Sequence, residues 1–239
     1  MANYKLIIPH VKASEGGLSS WQKDSARKYP SPIKDPKTGF FYHTNKGIIW
    51  KTWEGYSKKK GIPVNAQRWL KMSDADWEDV MKTLYWNAIY GDFIVSQGIA
   101  EILFEAIWGG SSKSLVIFLQ TALRKAGYDI AVDGSMGKNT YTALNKYTKN
   151  AKKEKQLITD MTAARLATLK TLPTWKDAEK SWTRRLNEIQ ERAYSYVGKG
   201  IDVTEEIITK NPIKTTLTAI ALIGVSYYLL KFGFPKVNG

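Results

Sequence analysis

The sequence predicts a mainly α fold with one small β or loop element near its start and a hydrophobic helix at its C-terminal end. Three observations carry this. Apolar residues recur at helical spacing through 80–89, 114–126, 154–170 and 175–196. Residues 94–108 are apolar on nearly every side, as in a buried central helix. Residues 18–46, by contrast, are broken by Pro30, Pro32, Pro36 and Gly39 and hold one short aromatic run, Phe40-Phe41-Tyr42.

In chain order, Leu6, Ile7 and Val11 suit a short helix from Tyr4 to Ser14, with Pro9 expected in its first turn and Gly16 and Gly17 as its left-handed stop. Lys37-Thr38-Gly39 reads as a turn leading into the aromatic run, a candidate strand. Gly47 to Tyr56 reads as a short helix using Ile48, Ile49 and Trp53, ending in the solvated lysines 58–60. A brief helix is expected over 65–72. Ser73-Asp74-Ala75-Asp76 then resembles a capping box that opens a helix through Val80, Met81, Leu84, Tyr85, Ala88 and Ile89. In the apolar stretch 94–108, Glu101 and Glu105 fall four apart on one side, which faces either solvent or a cleft. Leu115, Phe118, Leu119, Ala122 and Leu123 mark the helix 114–126. After the turn at Asp133-Gly134, Asn139 or Thr140 caps a helix over 140–148. The last amphipathic helix, from Trp175 to Tyr196, carries Lys176, Lys180, Arg184, Arg185 and Arg192 on a face expected to be solvated.

The tail differs. Residues 215–230 are uncharged and bounded by Lys214 and Lys231, and with Ile213 and Phe232 the run approaches the roughly 20 residues that a bilayer requires. A transmembrane helix is expected over 213–232, its lysines snorkelling and Tyr227 and Tyr228 at an interface. A docked hydrophobic helix is the alternative. No secretory signal is read at the N-terminus.

Composition narrows the chemistry. With no cysteine, disulfides and thiolate metal sites are excluded, and His10 and His43 have no paired ligand spacing, so no metal site is expected. A net charge of +14 suggests a polyanionic partner: nucleic acid, an anionic membrane or an acidic wall polymer. Nine Trp and thirteen Tyr suit stacking on sugar rings as well as on bases. Glu15, in Ala13-Ser14-Glu15-Gly16-Gly17, is the candidate acid. Walled by some of Trp21, Tyr29, Phe40, Phe41 and Tyr42, its carboxyl would hold its proton at neutral pH and could protonate a leaving oxygen. The plain alternative is a solvated Glu beside a helix cap. Asp24 and Asp35 are nearby carboxylates, each available as base or electrostatic partner, or simply a surface loop residue. Thr44 and Asn45 either bond their own backbone as a turn pair or orient water or substrate in a cleft.

Ser14-Glu15-Gly16-Gly17 followed by Thr44-Asn45-Lys46-Gly47-Ile48 resembles the glycoside hydrolase family of phage and bacterial N-acetylmuramidases, the family 108 type, which carries E-G-G-Y and then T-N-x-G-I-T. Tyr85-Trp86 and Ser96-Gln97-Gly98-Ile99-Ala100 look like its helical core. Leu119-Gln120-Thr121-Ala122-Leu123 through Val132-Asp133-Gly134-Ser135-Met136-Gly137-Lys138-Asn139-Thr140 looks like its C-terminal peptidoglycan domain. Together these cover roughly residues 5–195. Leu18 and Ile49 stand where the family has Tyr and Thr, and the 18–43 loop is longer, more basic and more aromatic than its short Asp-Pro-Gly-Gly loop.

The resemblance implies a lysozyme-like helical catalytic domain over 1–110, a helical peptidoglycan-binding-type domain over 111–200, a linker over 201–212 and the tail helix. It implies a peptidoglycan hydrolase, endolysin-like, in which Glu15 is the general acid and no cofactor or metal takes part. The second catalytic group does not carry over. Thr44, Asn45 and Asp35 are the candidates for it or for the cleft, and Asp133, Gly134 and Thr140 are candidates for peptidoglycan binding, although Asp133 and Gly134 also have plain backbone reasons to stand in a turn. The implied location is the cell envelope, anchored by the C-terminus, with a phage or prophage origin among the sources. Two other classes remain open: an inactive wall-binding or structural component of a virion or secretion apparatus, and a basic nucleic-acid-binding protein, for which no recognised module is present.

Overall fold

The computed structural model describes residues 1–13, 16–110 and 112–198. Ser14, Glu15, the 201–212 linker and the 213–232 span lie outside the described residues. Among the described residues, no helix is long and apolar enough to cross a membrane. The described residues are mainly helical, with a two-stranded sheet. It divides into two compact units, one combining residues 1–7 with 85–198 and the other holding 8–84.

Residues 1–7 and 85–198 are arranged around α5 (Gln97–Trp108), which packs against α6 (Ser112–Lys125), α8 (Ala151–Lys170) and α9 (Trp175–Tyr196); α7 (Lys138–Tyr147) packs on α6. An all-round apolar helix must be covered on every side, and Ile99, Ala100, Leu103, Phe104 and Ala106 are at most 1 % exposed. Ser96 caps α5 by accepting from the amide of Ile99. Tyr4, at the start of α1 (Tyr4–Lys12), contacts the rings of Trp86 and Phe104.

The two acids of α5 depart from expectation. Glu101 is buried and Glu105 only slightly exposed, and both face arginines of neighbouring helices. Glu105 pairs with Arg165 of α8 at 3.1 Å and Arg185 of α9 at 3.6 Å, and Glu101 pairs with Arg192 of α9 at 3.3 Å. Two of the five basic residues expected on a solvated face of α9, Arg185 and Arg192, are therefore turned inward to these carboxylates. A further difference is at α7, which begins at Lys138 after Gly137, so that neither Asn139 nor Thr140 is its cap.

Residues 8–84 hold the rest of α1, β1 (Thr44–Asn45), β2 (Ile48–Ile49), α2 (Trp50–Lys60), α3 (Ala66–Leu70) and α4 (Asp74–Met81). Pro9 lies in the second turn of α1, where it has no N–H for the carbonyl of Lys5, and it faces solvent. The helix closes at Lys12, and neither Gly16 nor Gly17 takes a left-handed φ. The expected helix from Gly47 begins only at Trp50, because Ile48 and Ile49 form a strand. Ser73 and Asp76 make the reciprocal capping box of α4. The stripe through Ile89 is not one α-helix: after Met81 the chain widens into a π turn over Lys82–Trp86 and tightens into a 3₁₀ turn over Asn87–Ile89.

Candidate active site

The candidate site is built on the β1–β2 hairpin. Thr44 stands opposite Ile49 and Asn45 opposite Ile48, which leaves Lys46 and Gly47 as a two-residue loop. Their φ angles are 46° and 74°. Both are left-handed, as in the turn whose twist matches a hairpin, and Gly47 takes that conformation without a Cβ penalty.

Two tryptophans fasten this hairpin. An indole N–H can only donate, and burying it costs less when it has an acceptor. Trp69 of α3 donates to the carbonyl of Ile48 at 3.3 Å, and Trp77 of α4 donates to that of Lys46 at 2.9 Å. In return the buried amide of Asn45 donates to the carbonyls of Trp69 at 2.6 Å and Leu70 at 3.2 Å. Asn45 thus reaches a helix end far along the chain instead of bonding its own turn.

The hairpin also takes in the chain that follows the Glu15 motif. The amide of Lys46 donates to the carbonyl of Gly17, Ser19 donates to Thr44, and His43 donates to Ser19. On the other side of the motif, Lys12 pairs with Glu78 at 2.8 Å and Asp74 at 3.3 Å, above the ring of Trp77. Lys46 pairs with the same Asp74 at 2.9 Å. Residues three before and two after Glu15 in the sequence are therefore both tied to one framework of hairpin and α4. Burial works against the charge of Lys12, but the Glu78 and Asp74 carboxylates outweigh it and raise its pKa. Lys46 and Lys12 together lower that of Asp74.

Behind Thr44 lies a buried polar cluster. His43 is fully buried; its Nε2 lies 3.1 Å from the carbonyl of Trp21 and its Nδ1 3.0 Å from Thr44 Oγ1. Burial lowers its pKa, against the pull of Asp24 at 3.9 Å. In the neutral ring Nε2 must donate to the carbonyl, so Nδ1 accepts from the Thr44 hydroxyl. Asp24 is itself buried and caps the 3₁₀ turn Ser25–Lys28 by accepting from Ala26 at 2.8 Å. Asp35 is buried too, so neither acid is a surface loop residue. Its carboxylate accepts from the amide of Lys37 at 2.9 Å and from the hydroxyls of Ser20 at 2.8 Å and Thr38 at 3.1 Å. Those bonds, the Lys37 amide first, hold it below the usual carboxylate range. The aromatic run pairs across the same loop, Lys34 with Phe41, while Trp21, Phe40 and Phe41 stay 41–50 % exposed.

Asp133, Gly134 and Thr140 converge on one buried amide, that of Gln120 in α6. It donates to Asp133 at 2.9 Å, Ser135 at 3.0 Å and Thr140 at 3.2 Å, and accepts from the amides of Asp133 and Gly134. This knots the 133–135 turn onto α6.

Sequence reasoning missed Asp74, Trp69, Trp77 and Gln120. The tryptophans carried a readable signal, since a buried indole N–H favours an acceptor that its own helix cannot supply. Asp74 carried none, because it looks like any first-turn acid of a capped helix.

A family model described as Glycosyl hydrolase 108 matches residues 8–110, and one described as Predicted Peptidoglycan domain matches residues 114–186. None of the curated proteins matches the chain. Among solved structures, that of Brucella abortus SagA has a similar fold: it is 24% identical, with 82% of this chain and 95% of that chain covered and a TM-score of 0.56.

Proposed function

We propose that this chain hydrolyses the glycan backbone of peptidoglycan with Glu15 as the general acid, since residues 8–110 match the glycosyl hydrolase 108 model and residues 114–186 the predicted peptidoglycan domain. The observation that supports this most is the meeting of two motifs distant in sequence. The segment just after Glu15 is hydrogen-bonded into the Thr44–Ile48 hairpin, and Lys12 and Lys46 share Asp74.

In this reading Glu15 protonates the oxygen that bridges N-acetylmuramic acid and N-acetylglucosamine. Oxocarbenium character develops on the sugar as that bond breaks, and water or a carboxylate traps it. Thr44, Asn45 and Asp35 are positioning residues of the cleft wall: Thr44 orients His43, Asn45 ties the hairpin to α3, and Asp35 holds the loop that carries Phe40 and Phe41. The catalytic domain spans 1–110. Residues 111–200 bind the wall, with Asp133, Gly134 and Thr140 shaping their turn. After the linker 201–212, residues 213–232 anchor the protein in a membrane of the cell envelope.

The test is to incubate the full chain with purified peptidoglycan and analyse the soluble products. New reducing ends on muramic acid are expected. Binding without release of muropeptides contradicts the proposal.

A further inference from the structure

We propose that Tyr90, Phe93 and Tyr141 form a glycan-binding platform, built wholly from residues outside the Glu15 and hairpin motifs. The three rings make one cluster. Phe93 stacks on Tyr141 with centroids 5.2 Å apart and planes at 20°, Tyr90 lies 5.9 Å from Tyr141, and Tyr90 and Phe93 are 6.2 Å apart. Mutual contact leaves two of them open: Tyr90 is 41% and Phe93 48% exposed, while Tyr141 is half-buried.

The cluster is held in place by its surroundings. Tyr90 has φ 54° and ψ 39°, a left-handed conformation that an aromatic residue rarely adopts. The next residue must be glycine, because a Cβ on Gly91 would fall 2.2 Å from the fully buried ring of Trp86. Trp86 donates to Asp92 at 2.7 Å, so the segment winds round that indole. Asn145 of α7 clamps its far end, accepting from the amide of Val95 and donating to the carbonyl of Phe93, both at 2.8 Å. The clamp also fixes Tyr141, one helical turn earlier on α7, against Phe93.

Such strain and bracing are expected where a site must present groups to a ligand. A pyranose ring has apolar C–H faces and a hydroxyl rim. Open aromatic faces match the former. The phenols of Tyr90 and Tyr141, which have no hydrogen-bond partner among the described residues, match the latter. Tyr141 lies within the residues matched by the predicted peptidoglycan domain, which points to the wall glycan as the occupant. The choice of glycan rests on the hydrolase reading above.

The experiment uses the full chain carrying Glu15→Gln, so that bound strands are not cut, and measures co-sedimentation with purified peptidoglycan sacculi at fixed salt. Phe93→Ala and Tyr141→Ala should each weaken binding about five- to tenfold. Tyr90→Gly should weaken it as well, while melting no lower than its parent, since glycine releases the left-handed constraint. That pairing separates a ligand role from a structural one. If all three folded variants sediment with the parent's Kd, the platform is wrong. Loss of binding in the variants, together with no release of muropeptides by the chain with Glu15 intact, would leave the platform standing and remove the hydrolase reading. Cleavage with unchanged sedimentation would do the reverse.

Discussion

At the scale of single residues, the two acids of α5 have opposite electrostatic fates. Both are buried. Burial alone raises a carboxyl pKa, and for Glu101 burial wins over Arg192 and Gln97. For Glu105 burial is outweighed by Arg165 and Arg185, and its pKa falls. The linkage signs follow. Glu105 stabilises the fold fully above the unfolded value of about 4.3, and that contribution is lost as pH falls through its lowered folded value. Glu101 keeps its proton longer in the folded chain, so its contribution declines as pH rises from about 4.3 through its raised folded value. Glu105→Gln should therefore cost about 3 kcal/mol or more near neutral pH, since it strands Arg165, which is 1 % exposed. Its deficit should shrink in acid, whereas Glu101→Gln should cost much less and improve relative to wild type as pH rises. Denaturant unfolding across pH measures both, and equal costs at neutral pH would contradict the assignment. None of this was legible in sequence. Spacing places the two acids on one side of α5, but their arginine partners lie 60 to 91 residues away.

At the scale of elements, local signals were legible and turn chemistry was not. The Ser73–Asp76 capping box and the stripe of α9 are rules that a segment satisfies by itself, and both are present in the fold. The 44–49 hairpin was hidden because Lys46, a residue with no turn preference, occupies a left-handed position where Asn or Asp would announce the turn. Its pairing is fixed from elsewhere, by Trp69, Trp77 and Asp74. Much of the candidate site is of this kind: the motif residues were visible, but the groups that hold them belong to other elements. Gly47→Ala places a Cβ at φ 74° and should cost about 1–2 kcal/mol. If the hairpin positions the cleft, glycan cleavage should fall by more than the loss of folded protein explains. Activity normalised to folded fraction checks this, and a normalised rate equal to wild type would show that the hairpin is not part of the site.

At the scale of the whole molecule, a charge of +14 suits a polyanionic wall, and the proposed C-terminal anchor would hold the hydrolase beside it. As a helix the sixteen uncharged residues 215–230 would cover only about 24 Å, so the proposed span would require Lys214 and Lys231 to snorkel. The full chain should stay in the membrane pellet through alkaline carbonate washing, and Leu222→Arg, at a cost of about 3 kcal/mol in mid-bilayer, should release it. A wild-type chain that washes off has no anchor. The central claim is that Glu15 is the acid of a peptidoglycan hydrolase. A general acid is worth about 10²–10⁴-fold in rate, and replacing it with its neutral isostere changes little else. The most direct measurement compares the rate of new muramic acid reducing ends from purified peptidoglycan for the wild-type chain and Glu15→Gln, at equal folded fraction and ionic strength. The account predicts a loss of at least 10²-fold with nearly unchanged Tm; a variant that turns over at the wild-type rate would contradict it.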